Sequence, residues 1–228
     1  DAAMEQPLAW LTNAFDRSPA ELLRVPPDAW PPLSGGLLEL SYGEGRIHLV
    51  LPQRIPGHGD APHMQGGLVK LPLPDFPTGI MRGRFSPHDH ALYTCGLFAW
   101  AGNKTVPGGV FRVRRTQALL QMPVELAATA EGFVVTFFAP LDRAKAADPR
   151  NWSCKAWRLE RTEKYGSAHI DEHGLAITGV DVSSDGRTAT VRIDAFAPLQ
   201  CYELTWNLAS ADGTPTAGRI DGTVHVAR

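Results

Sequence analysis

The stretch PTGIMRGRFSPHDHALYTCGLFAWAGNKTVPGGVFRVRR, Pro77 to Arg115, decides the fold. Its centre runs Arg84-Phe85-Ser86-Pro87-His88-Asp89-His90-Ala91-Leu92-Tyr93-Thr94-Cys95-Gly96. This reads as one short strand, a tight polar turn and a second strand opening on Leu92-Tyr93. Ser, Pro and Asp favour the turn because they preset φ or hydrogen-bond the local backbone. Gly108-Gly109 then reads as a turn into Val110-Phe111-Arg112-Val113-Arg114. Apolar and basic residues alternate there with the period of two of a half-buried strand.

The same grammar extends upstream. Gly36 to Ser41 predicts a strand, Tyr42-Gly43-Glu44-Gly45 a glycine turn, and Arg46 to Leu51 the next strand, with Ile47, Leu49 and Leu51 on one face. A polar loop is expected from Pro52 to Gln65, then a strand from Gly66 to Leu71. Repeated strand–turn–strand units of this kind make up the four-stranded blades of a β-propeller. Residues from about 35 to 115 hold roughly two blades at most, and a propeller needs at least about four, because each blade is buried only against its neighbours. The missing blades would lie upstream in a longer precursor or on another chain, or the strands close differently. Before residue 35, Pro19 to Val25 reads as one or two helical turns with Ser18 as N-cap. Pro26-Pro27 and Pro31-Pro32 stop any helix, and Trp10 and Trp30 pin the irregular backbone to a sheet.

The pattern changes near Thr116. Strands are expected at Val124–Ala128, Gly132–Phe138, Ser153–Leu159, Gly179–Ser183, Thr188–Ile193, Cys201–Trp206 and Gly222–Val226. Ser184-Asp185-Gly186-Arg187 makes a hairpin turn, and Ala139 to Trp152 forms a corner. Seven mostly antiparallel strands suit an immunoglobulin-like sandwich. The expected fold is therefore all-β: partial β-propeller blades over residues 1–116, followed by an immunoglobulin-like β-sandwich over 117–228.

Bulk composition agrees. The chain has 228 residues, 43% of them hydrophobic, enough to bury a core, and a net charge of −2, which carries no nucleic-acid footprint. Its 22 glycines and 19 prolines are spread along the chain, as many short strands joined by turns require. No window approaches the roughly 18 apolar residues of a membrane-spanning helix. The opening Asp1-Ala2-Ala3-Met4-Glu5 has neither the basic nor the apolar region of a secretory signal. Of the three cysteines, Cys154 and Cys201 could face each other across a sandwich as a disulfide; the alternative is three buried thiols. No CxxC or Cys/His zinc spacing occurs.

Both halves also carry a family resemblance. Ser34–Pro52, Gln65–Leu73 and Phe76–Arg114, with GIMRGRF and GLFAWAGN the most specific parts, resemble the last blades of propeller proteins related to glucose/sorbosone dehydrogenases. Such blades occur in secreted multidomain proteins of planctomycete-type bacteria. Val135–Trp152, Lys164–Ser167, Val180–Ile193 and Tyr202–Pro215 look like the bacterial Ig-like domain that follows those blades. The resemblance implies a periplasmic or extracellular location. It also implies a quinone cofactor (PQQ) and calcium in the complete protein, though no quinone-contacting motif of that family matches a position in this chain. The leading expectation is a C-terminal scaffold or interaction portion of a secreted sugar-dehydrogenase-like propeller protein. The alternatives are part of a quinone- and calcium-dependent sugar dehydrogenase whose catalytic residues lie on other blades, or a structural subunit of a larger cell-envelope or electron-transfer assembly. The expected partners are upstream blades or another protein chain, with carbohydrate as a further ligand class.

Candidate site residues are few. His58, Asp60 and His63 crowd one loop and offer metal-ligand chemistry, against a plain polar loop. His88-Asp89-His90 reads as a surface turn. Trp100, Asn103 and Lys104 share a loop where an indole could stack on a sugar, and Arg82 with Arg84 would form ion pairs between blades or line a channel. Asp142 and Asp148 flank a corner and read as turn caps; with Asp171 they lack calcium-site spacing. No nucleophile elbow, phosphate loop or dinucleotide fingerprint occurs, so no catalytic residue is assigned.

Overall fold

The alternating apolar residues of this chain form strands almost throughout, in a computed structural model that describes residues 5–55, 63–98 and 104–228. In chain order the strands are β1 (Pro19–Arg24), β2 (Leu37–Ser41), β3 (Ile47–Ile55), β4 (His63–Lys70), β5 (Gly79–Phe85), β6 (Leu92–Leu97), β7 (Gly108–Val113), β8 (Pro123–Ala128) and β9 (Gly132–Phe137). The short helix α1 (Arg143–Ala147) follows, then β10 (Trp152–Arg158), β11 (Ile170–Leu175), β12 (Ile177–Val182), β13 (Thr188–Ile193), β14 (Leu199–Ala209) and β15 (Pro215–Val224). The protein is all-β, with several antiparallel sheets.

The chain divides into two compact units, and β3 and β4 contribute residues to both. The first unit takes its described residues from 5–11, 51–55, 63–68 and 121–228; the second from 12–50, 69–98 and 104–120.

In the first unit, one sheet has the order β12-β13-β9-β8, and the other runs β15-β14-β10-β11 with β4 beside β15. Every second residue of β9 points inward. Phe133 meets Tyr202 with ring centroids 4.6 Å apart, and Phe137 meets Trp206 at 5.7 Å and Trp152 at 6.3 Å. These rings join the two sheets. Each buried Phe stabilises the unit by roughly 2–3 kcal/mol of apolar transfer. Asp142 caps α1 by accepting from the backbone N–H of Ala144 and Lys145, and Asp148 accepts from Arg150 N–H, so both act as turn caps. Gln53 on β3 closes the β8 end: its carbonyl accepts from Ala128 N–H and its amide donates to Ala128 O.

In the second unit, β1, β2 and β3 pair antiparallel, and β5, β6 and β7 form a separate three-stranded sheet. The two sheets meet where Gly83 of β5 lies against Leu23 and Leu40. A Cβ there would stand 3.0 Å from the Leu40 side chain, so glycine permits the close approach. Leu38, Leu40, Ile80 and Leu92 are fully buried, and Trp30 packs edge-on against Phe85.

Several expectations are corrected. Pro19 to Arg24 is a strand, not a helix: a segment this short does not nucleate a helix alone, and β2 offers it a ladder partner. Strand β3 runs on to Ile55 and β4 starts at His63, inside the expected loop. Gly108-Gly109 lies within β7, paired to Leu97 and Gly96. Strand β11 was not expected; its six residues are mostly exposed and polar, because it edges its sheet. Cys154 and Cys201 are free thiols on adjacent strands of one sheet, where Cys154 pairs with Leu204 and Cys201 with Trp157. That offset keeps them from bridging. Cys95 is exposed, so the thiols are not all buried.

Candidate functional site

Two features of the second unit carry chemistry: a buried polar cluster and an exposed apolar face.

The cluster follows from a hairpin register. The glycine turn between β2 and β3 pairs Leu40 with Ile47, which puts Glu39 directly opposite His48. Leu38 and Leu40 point to the other side of β2, so Glu39, Ser41 and His48 share one face. The segment before β1 covers that face: a turn at Thr12, whose carbonyl accepts from Phe15 and Asp16 N–H, delivers the Asp16 carboxylate there. Phe15 packs against the His48 ring, tilted by 38° with centroids 4.7 Å apart. The exposures of Asp16, Glu39 and His48 are only 6%, 3% and 1%.

The hydrogen bonds are incomplete. Glu39 Oε2 lies 2.6 Å from His48 Nδ1, a contact that holds one proton between them. Ser41 Oγ donates to Asp16 Oδ1. Glu39 Oε1 and Asp16 Oδ2 are buried without a hydrogen-bond partner among the described residues. Burial pushes the Glu39 carboxyl up to about 8. Burial, with the neighbouring Glu39, pushes Asp16 up to about 6 against the opposing Ser41 hydrogen bond. One donor atom from each of Asp16, Glu39 and His48 falls within 4.8 Å of the others. An imidazole among so few donors is unlike the all-oxygen shell of six to eight ligands that calcium takes, so the calcium implied by the resemblance does not fit here.

The exposed face belongs to the β5–β6–β7 sheet. Its other side is covered at Gly83, Leu92 and Thr94. Outward, Tyr93 stands in a row between Arg84 and Arg112, and Cys95 stands between Arg82 and Val110. Val110 is 77% exposed, and Leu97 is about half exposed. The Arg112 guanidinium lies 5.9 Å from the Tyr93 ring centre.

The residues singled out from the sequence take mostly structural positions. Arg84 pairs with Glu21 at 2.6 Å, and Arg82 donates to Ala20 O, so both tie β5 to β1. Lys104 reaches Asp75 at 3.3 Å, where Arg46 and Lys70 also bind; their hydrogen bonds hold the Asp75 carboxyl well below the usual range despite its desolvation. Asp89 closes the β5–β6 turn by accepting from Ala91 N–H and the Tyr93 hydroxyl, and it pairs with Arg112. Asp171 is exposed and pairs with Arg158. His58, Asp60, Trp100 and Asn103 lie outside the described residues, and His63 opens β4. The buried cluster was missed. Asp16, Glu39 and His48 stand in no ligand spacing, although the glycine-turn hairpin already implies the Glu39–His48 pair.

Comparisons with protein families, curated proteins and solved structures find no match for this chain.

Proposed function

We propose that this chain is a scaffold and interaction module: the C-terminal portion of a secreted, periplasmic or extracellular propeller protein of the glucose/sorbosone dehydrogenase-like type. On this reading the second unit supplies terminal blades and the first is an Ig-like sandwich. One observation carries the reading. The three-stranded sheet β5–β6–β7 buries one face against β1 and β2, yet presents Tyr93, Leu97 and Val110 on the other. A propeller blade is covered on both faces, and large apolar side chains clustered on a solvated sheet mark a docking surface. The occupant that fits is a further blade, carried upstream or on a partner chain. Any quinone- and calcium-dependent sugar oxidation then belongs to those other blades.

Cys95, at the centre of this face, tests the proposal. In the isolated chain a maleimide reagent should label it readily. In native extracts from the source cells it should be protected and become reactive only on denaturation. Equal labelling of Cys95 in both samples would remove the covering blade and the proposal with it.

A further inference from the structure

We propose that Asp16, Glu39 and His48 bind a divalent transition-metal ion, zinc being the best match, as a structural centre of the second unit. Three observations converge. The donor set, two carboxylates and one imidazole, is the nitrogen-and-oxygen chemistry that zinc and manganese accept. The donor atoms lie within 4.8 Å of one another, close enough for small side-chain rotations to bring them onto one ion with bonds of about 2.0–2.2 Å. Two carboxylate oxygens, Glu39 Oε1 and Asp16 Oδ2, have no hydrogen-bond partner among the described residues although both side chains are more than nine-tenths buried. Stranded carboxylate oxygens are costly in a protein interior, and a cation is the partner that offsets the cost.

The site gathers residues from three places: the turn after Thr12, β2 and β3. An ion there would fasten the covering segment to the hairpin. Ser41 Oγ, already bonded to Asp16, would hold that carboxylate in orientation. Burial of all three residues keeps solvent from the ion, and a second carboxylate oxygen, Glu39 Oε1 or Asp16 Oδ2, would supply the fourth bond of a closed, structural centre. It is separate from the exposed face of β5–β6–β7 and does not depend on the scaffold reading.

The test uses the full chain. Protein unfolded with chelator is refolded with zinc, with manganese or with chelator alone, then desalted and assayed for metal and thermal stability. About one ion per chain should be retained, and the melting midpoint should rise by several degrees because the ion binds only the folded state. Asp16→Asn and Glu39→Gln preserve shape, so these variants should fold and yet retain at least about tenfold less metal. Wild-type protein that keeps neither ion and melts as the chelator control does would overturn the proposal. So would a D16N/E39Q variant that retains as much metal as wild type, since the ion would then sit elsewhere.

Discussion

Glu39 Oε2 and His48 Nδ1 lie 2.6 Å apart on directly opposed residues of neighbouring strands, both buried. His48 therefore both satisfies a carboxylate oxygen and fills space against Phe15. His48→Ala should destabilise the metal-free protein by about 2–4 kcal/mol, the loss of a buried hydrogen bond plus a cavity. Glu39→Gln, which keeps the shape and a hydrogen-bonding group, should cost under about 1 kcal/mol. Urea unfolding of both variants checks this; equal losses would show that the carboxylate, not the ring packing, dominates.

Asp221 makes the stability of the first unit depend on pH. Burial pushes its carboxyl up to about 7, with Arg219 opposing, Glu203 adding and Lys155 opposing. Those groups face it from β15, β14 and β10, and Cys201 and Tyr202 lie within reach of its charge. An unfolded aspartate titrates near 3.9, so the folded state holds the proton more tightly. The contribution of Asp221 is then full below about pH 4 and is lost as pH rises through about 7. Asp221→Asn should flatten that decline, by on the order of 2 kcal/mol between pH 5 and pH 8. Parallel pH profiles for the two proteins would refute the assignment.

Gly96 sits mid-strand in β6, paired to Ile80 and Gly109. A Cβ there would lie 1.6 Å from the carbonyl oxygen of Gly79, a backbone atom that cannot step aside without opening the ladder. Gly96→Ala should destabilise the second unit by about 2–4 kcal/mol. Amide exchange in β5 and β6 should speed up, while β9 and β13 keep their protection; unchanged exchange in β5 would show that the sheet absorbs the methyl.

The thiols should separate cleanly. Burial pushes Cys154 and Cys201 up to about 12, so neither forms thiolate at pH 8, whereas Cys95 is exposed. Mass spectrometry of the isolated native chain after maleimide treatment should show one adduct, and three after unfolding. A native chain with no free thiol at Cys154 or Cys201 would mean a disulfide that this strand register does not permit.

Much of this was legible in the chain itself. Period-two alternation located most strands, because a half-buried strand must alternate. Glycine and Asp-Gly turns located the hairpins, since only certain residues accept the backbone angles a tight turn needs. The glycine turn at Tyr42 to Gly45 even implies the register that sets Glu39 against His48. Tertiary structure decided the rest. Strand β1 is a strand because β2 offers it hydrogen bonds, and β11 is one despite its polar residues because β10 does. Cys154 and Cys201 share a sheet because β10 and β14 are neighbours, a pairing across more than forty residues that no local pattern carries. Asp16 joins Glu39 and His48 only when the segment before β1 folds over the hairpin. Alternation tells which residues share a face of a strand, but not which other part of the chain will cover that face, because that choice depends on packing between segments distant in sequence.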